Sequence, residues 1–274
     1  MASTNKIKDN ESNYWIWNGF KIFWSVKGKE NKKPIILLHG FGASSQHWRN
    51  NSNYFANKGY SVYSLDLLGF GNSAQPGIKE IGKLDNGVWC NQVNDFIQQI
   101  IRPKNSKKII LIGNSLGSLV ALTCAVYFKN EILSVIASPL PDPIVINKKE
   151  SKFNSIFDKL KNKFIKIFFK IIPLEIILFL INKLGIIKLG LKFAYFKKNK
   201  IDKELIDIVR KPVLRKTAAK SLRAMCIGMS TRGNKLKASY LLEQLCHSKK
   251  VPFLLLWGEK DNFIPLFLGK KIAN

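Results

Sequence analysis

Gly113-Asn114-Ser115-Leu116-Gly117 is the segment of this 274-residue chain whose residue types and spacing point most directly to chemistry. It follows the apolar run KKIILI and precedes LGSLVALTCAVYF, so the serine falls on a turn from strand to helix. Such a turn strains the serine backbone and closes only if the flanking positions lack bulky side chains. The expected result is a Ser115 Oγ held above a sheet edge at a helix N-terminus, with the Leu116 N–H able to hold a developing oxyanion. The chemistry this offers is acyl transfer through a serine nucleophile, which needs a base to take its proton. A structural Gly-Ser turn is the plainer alternative, because the five-residue pattern by itself is a modest signal.

Two other clusters bear on that chemistry. His39-Gly40-Phe41-Gly42 ends an earlier apolar run, and its glycine turn can present the Phe41 N–H as a second oxyanion donor. His39 as the base is the weaker reading, since a strand-end histidine beside a tight glycine turn more often orients that turn. Asp261, in WGEKDNFIP, follows the last apolar run and could accept a hydrogen bond from a histidine and hold its tautomer. An N-cap before Ile264-Pro265 is the alternative role for Asp261, and Glu259 is the weaker candidate acid. Asp66 with Gly69 and Gly71 reads as a structural turn: the third glycine of a dinucleotide fingerprint and a G-K-[ST] loop are both missing.

These residues need elements to hold them. Tyr14–Trp17 and Lys21–Val26 flank Asn18-Gly19, a dipeptide that favours a type I′ hairpin. The runs PIILLHG (34–40), YSVYSLDLLG (60–69), KKIILIGNS (107–115) and EILSVIASP (131–139) lack polar alternation, which predicts strands buried on both faces of a parallel sheet. Helical segments are expected at Asp85–Ile101 and Leu116–Phe128, giving an α/β alternation.

After Pro139, Pro141 and Pro143 the texture changes, and no strand-like run returns before VPFLLLWGEKD (251–261). Phe153, Ile156, Phe157, Leu160, Phe164, Ile167, Phe168 and Ile171 recur at helical spacing with lysines around them, which predicts a basic amphipathic helix. The expected organisation is a core of residues 1–140 and 251–274 interrupted by a helical cap at 141–250.

The net charge of +27 is concentrated in that insertion: residues 148–250 hold 26 basic and 7 acidic side chains. With 39 lysines to 6 arginines, bidentate base reading is disfavoured and no specific nucleic-acid partner is expected. The enrichment in Lys, Asn and Ile is also what A/T-rich codons produce, so genome composition and a membrane-surface role both stand as sources of the charge. Four well-separated cysteines without C-x-x-C spacing argue against a zinc ribbon and a disulfide framework, so no metal is expected and the thiols should be reduced. No cofactor is expected either. The first residues carry no signal-peptide or transit pattern, and IIPLEIILFLI (171–181) is too short for a membrane span. A cytoplasmic protein is the expectation, with peripheral membrane contact through its basic cap as the alternative.

The series H-G-F-G, D-x-x-G-x-G-x-S, G-N-S-L-G, helical insertion and W-G-x-x-D-x-x-x-P resembles the α/β-hydrolase superfamily from about residue 14 onward. The elbow, the segment SPLPDP (138–143) and RAMCIGMS (223–230) are most similar to pheophytinase-like hydrolases of cyanobacteria and plants. The resemblance implies a mostly parallel twisted sheet with helices on both faces. It assigns Ser115 as nucleophile, Phe41 and Leu116 as oxyanion amides, and Asp261 as the triad acid, with His39, Gly40, Gly42, Gly113, Asn114 and Gly117 shaping the turns. Serine at position 115 disfavours the carboxylate-nucleophile chemistry of epoxide hydrolases and haloalkane dehalogenases.

The implied activity is cleavage of a carboxylic ester of an apolar small molecule through an acyl-enzyme. The alternatives are carbon–carbon bond hydrolysis on the same fold and a catalytically inactive fragment or pseudoenzyme. In this family the base follows the acid, yet the 13 residues after Asp261 hold no histidine; the three are His39, His47 and His247. The expectation is therefore that a last strand, the base and a closing helix are missing. The cap is expected to supply the apolar pocket and rest its lysines on lipid, or else to pack its apolar stripe on the core with its lysines merely solvated.

Overall fold

Asn18 and Gly19 take φ of 48° and 79°, the left-handed pair that a type I′ turn requires. They join β1 (Glu11–Trp17) and β2 (Phe20–Lys27) as an antiparallel pair. The computed structural model describes residues 11–103, 105, 107–141 and 155–273. The continuous apolar runs form β3 (Lys33–Leu38), β4 (Tyr60–Leu65), β5 (Ile109–Asn114), β6 (Ile132–Ser138) and the short β7 (Phe253–Leu255). The seven strands order as β1-β2-β4-β3-β5-β6-β7, antiparallel up to β4 and parallel across the rest.

β3 explains why such runs show no alternation. Ile36 and Leu38 enter the main core, while Ile35 and Leu37 enter a smaller core on the opposite face of the sheet. The main core packs β3 and β5 against α3 (Asn86–Phe96) and α4 (Leu116–Tyr127). The smaller one is closed by Phe55 and Ala56 of α1 (Arg49–Asn57). A single turn, α2 (Ile78–Ile81), precedes α3.

α3 begins where Asp85 accepts hydrogen bonds from the amides of Gly87 and Val88. Its expected extension to Ile101 is modified: the α-helix stops at Phe96, and Ile97–Ile101 form a π-helical turn with Arg102 N–H bonded to Ile97 O at 2.8 Å. Side-chain periodicity carries no mark of that wider turn.

Between β6 and β7 the described residues form only helices: α5 (Ser155–Ile171), α6 (Leu174–Lys183), α7 (Ile186–Ala194), α8 (Lys203–Val213), α9 (Ala218–Thr231) and α10 (Ala238–Ser248), with short 3₁₀ turns. α11 (Leu266–Ala273) follows β7. Asp142, Pro143 and residues 144–154, which include the first part of the expected amphipathic helix, lie outside the described residues. The helices are tied to the sheet's loops by specific bonds. Arg215 donates to Gly71 O and Ser73 O at 3.1 and 2.8 Å, Gln75 Nε2 donates to Pro212 O at 3.1 Å, and Arg49 pairs with Asp202 at 3.0 Å. None of the helices among the described residues is long and apolar enough to cross a membrane.

Candidate active site

The parallel register brings the site together. Leu38 pairs with Gly113, Asn114 with Ser138, and Ala137 with Leu255, so the loops leaving β3, β5, β6 and β7 emerge side by side. Ligands of open α/β sheets sit at this carboxyl edge.

Ser115 occupies the turn between β5 and α4 with φ 50° and ψ −115°, and its N–H is held by Ser138 O at 3.0 Å. For a residue with a Cβ this conformation costs energy, and the surrounding packing must enforce it. The neighbours show how. A Cβ on Gly113 would stand 2.4 Å from the Gly117 carbonyl, and one on Gly117 would stand 2.2 Å from Leu38 O. The start of α4 is therefore pressed against β3 and β5, and only glycine fits on either side. Ser118, on the same turn, donates to Gly113 O at 2.8 Å and accepts from Ser138 N–H at 2.9 Å.

The β3 loop packs against this turn. A Cβ on Gly40 would lie 2.7 Å from Asn114 Oδ1 and 3.4 Å from Ser115 Cβ, while Asn114 Nδ2 donates to Ser138 O at 2.8 Å. Gly42 takes φ 68°. Among the described residues neither the Phe41 N–H nor the Leu116 N–H has a hydrogen-bond acceptor, and the latter is one of the orphan donors of a helix start. The Phe41 ring is 61% exposed and stands edge-on to Phe70.

His39 is fully buried, with Leu67 N–H donating to Nε2 at 3.0 Å and Nδ1 lying 2.8 Å from Gly40 O. That pairing requires the neutral tautomer protonated at Nδ1, and burial lowers its pKa to about 4. His39 therefore ties two loops together and has no free nitrogen for a substrate. Asp66 is likewise inside, accepting from Ser45 N–H at 2.6 Å and Asn72 N–H at 2.7 Å; burial raises its pKa.

Ser115 opens onto two apolar spaces. One, of about 710 Å³, is lined by Phe41, Ser115, Asp261 and His47 with the α7 residues Ile187 and Leu191. The other, of about 340 Å³, is lined by Ser115, Leu116, Trp89, Phe169 and Met225. Ser115 and Asp261, distant in sequence, thus share a cavity. Asp261 Oδ1 accepts from the Phe263 and Ile264 amides, both at 2.9 Å, which closes a turn in the loop ahead of α11; that helix begins only at Leu266, so Asp261 is not its N-cap. None of the three histidines is bonded to Ser115 or Asp261. His47 Nδ1 accepts from Ser44 N–H at 3.3 Å, with its pKa lowered to about 4 by burial and then by nearby His39 and Arg49; His247 Nδ1 lies 2.7 Å from Glu243 O.

The helices between β6 and β7 contribute to the cavities through faces other than the one the α5 periodicity suggested. Phe164, Ile167, Phe168 and Ile171 of α5 are exposed, so this stripe neither packs on the core nor lines the pocket; Phe169, on the other side of the helix, does. On α7, Ile187, Gly190, Leu191 and Ala194 line the larger cavity. Their i, i+3, i+4, i+7 spacing was available in the sequence, but the direction of the face was not. His47 and Tyr195, also in the cavity wall, carried no sequence signal.

Residues 33–170, half of the chain, match the family model for the α/β hydrolase fold. The chain belongs to this family. Epoxide hydrolase 4 of Mus musculus is 29% identical over 131 residues, covering 48% of this chain and 34% of the relative. The human 1-acylglycerol-3-phosphate O-acyltransferase ABHD5 is 33% identical over 125 residues, covering 44% and 34%. The chain spans about a third of the length of these curated relatives. Among solved structures, a thioesterase domain from the curacin biosynthetic pathway superposes with a TM-score of 0.71 at 18% identity, covering 97% of this chain and 89% of that one. This α/β hydrolase chain thus shares its fold with proteins whose names span several chemistries.

Proposed function

We propose that the chain is a serine hydrolase that cleaves a carboxylic ester of an apolar substrate through an acyl-enzyme. The observation that carries this reading is Ser115 itself: it is held in a left-handed conformation between two glycines with no room for a Cβ, and it opens onto an apolar cavity shared with Asp261.

Ser115 Oγ attacks the ester carbonyl carbon while its proton leaves to a base. The carbonyl oxygen becomes an oxyanion received by the Phe41 and Leu116 N–H groups. The intermediate collapses with loss of the alcohol, which takes up the proton, and water then releases the acid by the same steps. Asp261 Oδ2, not used by the loop, is available to orient an imidazole base. An imidazole in that place is what His39, His47 and His247 do not provide, being bonded elsewhere.

That last observation favours a second reading, a member of the fold that binds apolar ligands without turnover. Mixing the chain with p-nitrophenyl esters of increasing acyl length, with and without added imidazole, separates the two. The hydrolase reading expects an acylated peptide containing Ser115, faster in imidazole and absent from Ser115→Ala. Ligand binding with no acylation under either condition supports the second reading. Cleavage of a diketone but not of esters would move the reading to carbon–carbon hydrolysis.

A further inference from the structure

The inner faces of α5, α6 and α7 are accounted for: Phe169, Leu178 and Ile187 each line a cavity over the sheet edge. A cap helix with one such task should be polar on its other side. These are not. α5 exposes Phe164, Ile167, Phe168 and Ile171, which is 76% exposed. α6 exposes Ile176, Phe179 and Leu180, and α7 exposes Ile186, Leu189 and Phe193. Each set repeats at i, i+3 or i+4, so three successive helices each turn an apolar stripe to solvent. Isolated apolar side chains on a surface need no explanation, but apolar stripes exposed on three consecutive helices do.

The charges indicate what covers this face. Residues 162–200 contain nine lysines, all exposed, and a single acid, Glu175, which is held by Arg223 at 3.1 Å. A second copy of the chain would set lysine against lysine. An acidic protein surface would satisfy the lysines and leave the aromatic and aliphatic stripes in water. A bilayer with anionic headgroups satisfies both, hydrocarbon below for Phe and Ile and phosphate above for lysines whose stems run along the apolar face.

We infer that the outer face of α5–α7 docks on an anionic lipid surface. α7 is then a partition one helix thick, with Leu189 toward lipid and Ile187 and Leu191 toward Ser115. If the ester-cleavage reading holds, the cavity receives apolar substrate from the bilayer side; the docking itself does not depend on that reading.

The test is flotation of the 274-residue chain with vesicles of phosphatidylcholine alone or mixed with phosphatidylglycerol. Binding is expected to favour the phosphatidylglycerol vesicles and to weaken as salt rises. Ile176→Gln with Leu189→Gln, and separately Lys188→Glu with Lys192→Glu, should each reduce binding by about tenfold or more. Unchanged circular dichroism in both pairs excludes misfolding as the cause. Ser115→Ala should float like the parent chain, so a failed hydrolase assay and failed docking remain separate results. Equal binding to both vesicle types, no effect of either pair, or a dimer in light scattering with no vesicle binding would each overturn the proposal; the last would assign the face to a second copy.

Discussion

The sheet edge around Ser115 and the outer face of α5–α7 are built by opposite means. At the sheet edge an unfavourable backbone conformation is enforced by close packing: glycines without room for a Cβ, a buried His39 using both ring nitrogens, and a buried Asp66 held by two amides. On the outer cap, helices of ordinary geometry leave apolar stripes in water. Strain that close packing enforces, as at Ser115, points to a candidate functional site. Apolar area that the fold leaves uncovered marks a place where something else must complete it.

Ser115→Ala should give the largest effect, loss of the imidazole-stimulated acylation at position 115 with nearly unchanged stability, read by mass mapping after exposure to an activated ester. Retained activity would remove the function assigned to the strained turn. Gly117→Ala comes next. Its Cβ would meet Leu38 O at 2.2 Å, so denaturant unfolding should register a loss of about 3 kcal/mol or more, and a neutral result would mean that the turn is slack.

Acid should act on the core next. His39 and His47 are both held near pKa 4 against an ordinary 6.5. Because the unfolded chain binds more protons than the folded one between those values, stability is complete above about pH 6.5 and falls as pH approaches 4. The buried Asp66, with its raised pKa, works in the opposite direction. The His39 share is about 3 kcal/mol at most. His39→Gln should flatten the pH dependence of thermal unfolding, and an unchanged slope would show that burial of His39 is not its cause.

The smallest expected effect lies in the cap. A Cβ on Gly190 meets nothing within 4 Å, so Gly190→Ala should stabilise by up to about 1 kcal/mol, the reverse of the same change at Gly117.

The same contrast governs how much could be read in the sequence. The Asn18-Gly19 hairpin, the doubly buried β3, β4 and β5 and the Ser115 turn follow from local rules and the structure has them, whereas β6, expected to be buried on both faces, leaves Leu133 exposed. The pairing of Ser115 and Asp261 along one cavity required only strand order. The direction of the α5 stripe was not available, because periodicity gives a face but not what it faces. The π-helical turn at Ile97–Ile101 leaves side-chain spacing almost unchanged, and the turn bonds of Asp261 depend on a loop conformation that composition does not specify.

The central claim is that the turn presets Ser115 as a nucleophile that an imidazole base can activate. Fluorophosphonate labelling of the 274-residue chain, followed by mass mapping in the presence and absence of imidazole, tests it most directly. The account predicts one label, on Ser115, forming faster with imidazole and slowed in Gly117→Ala. A label spread over surface residues, or none on Ser115 even in imidazole, would contradict it.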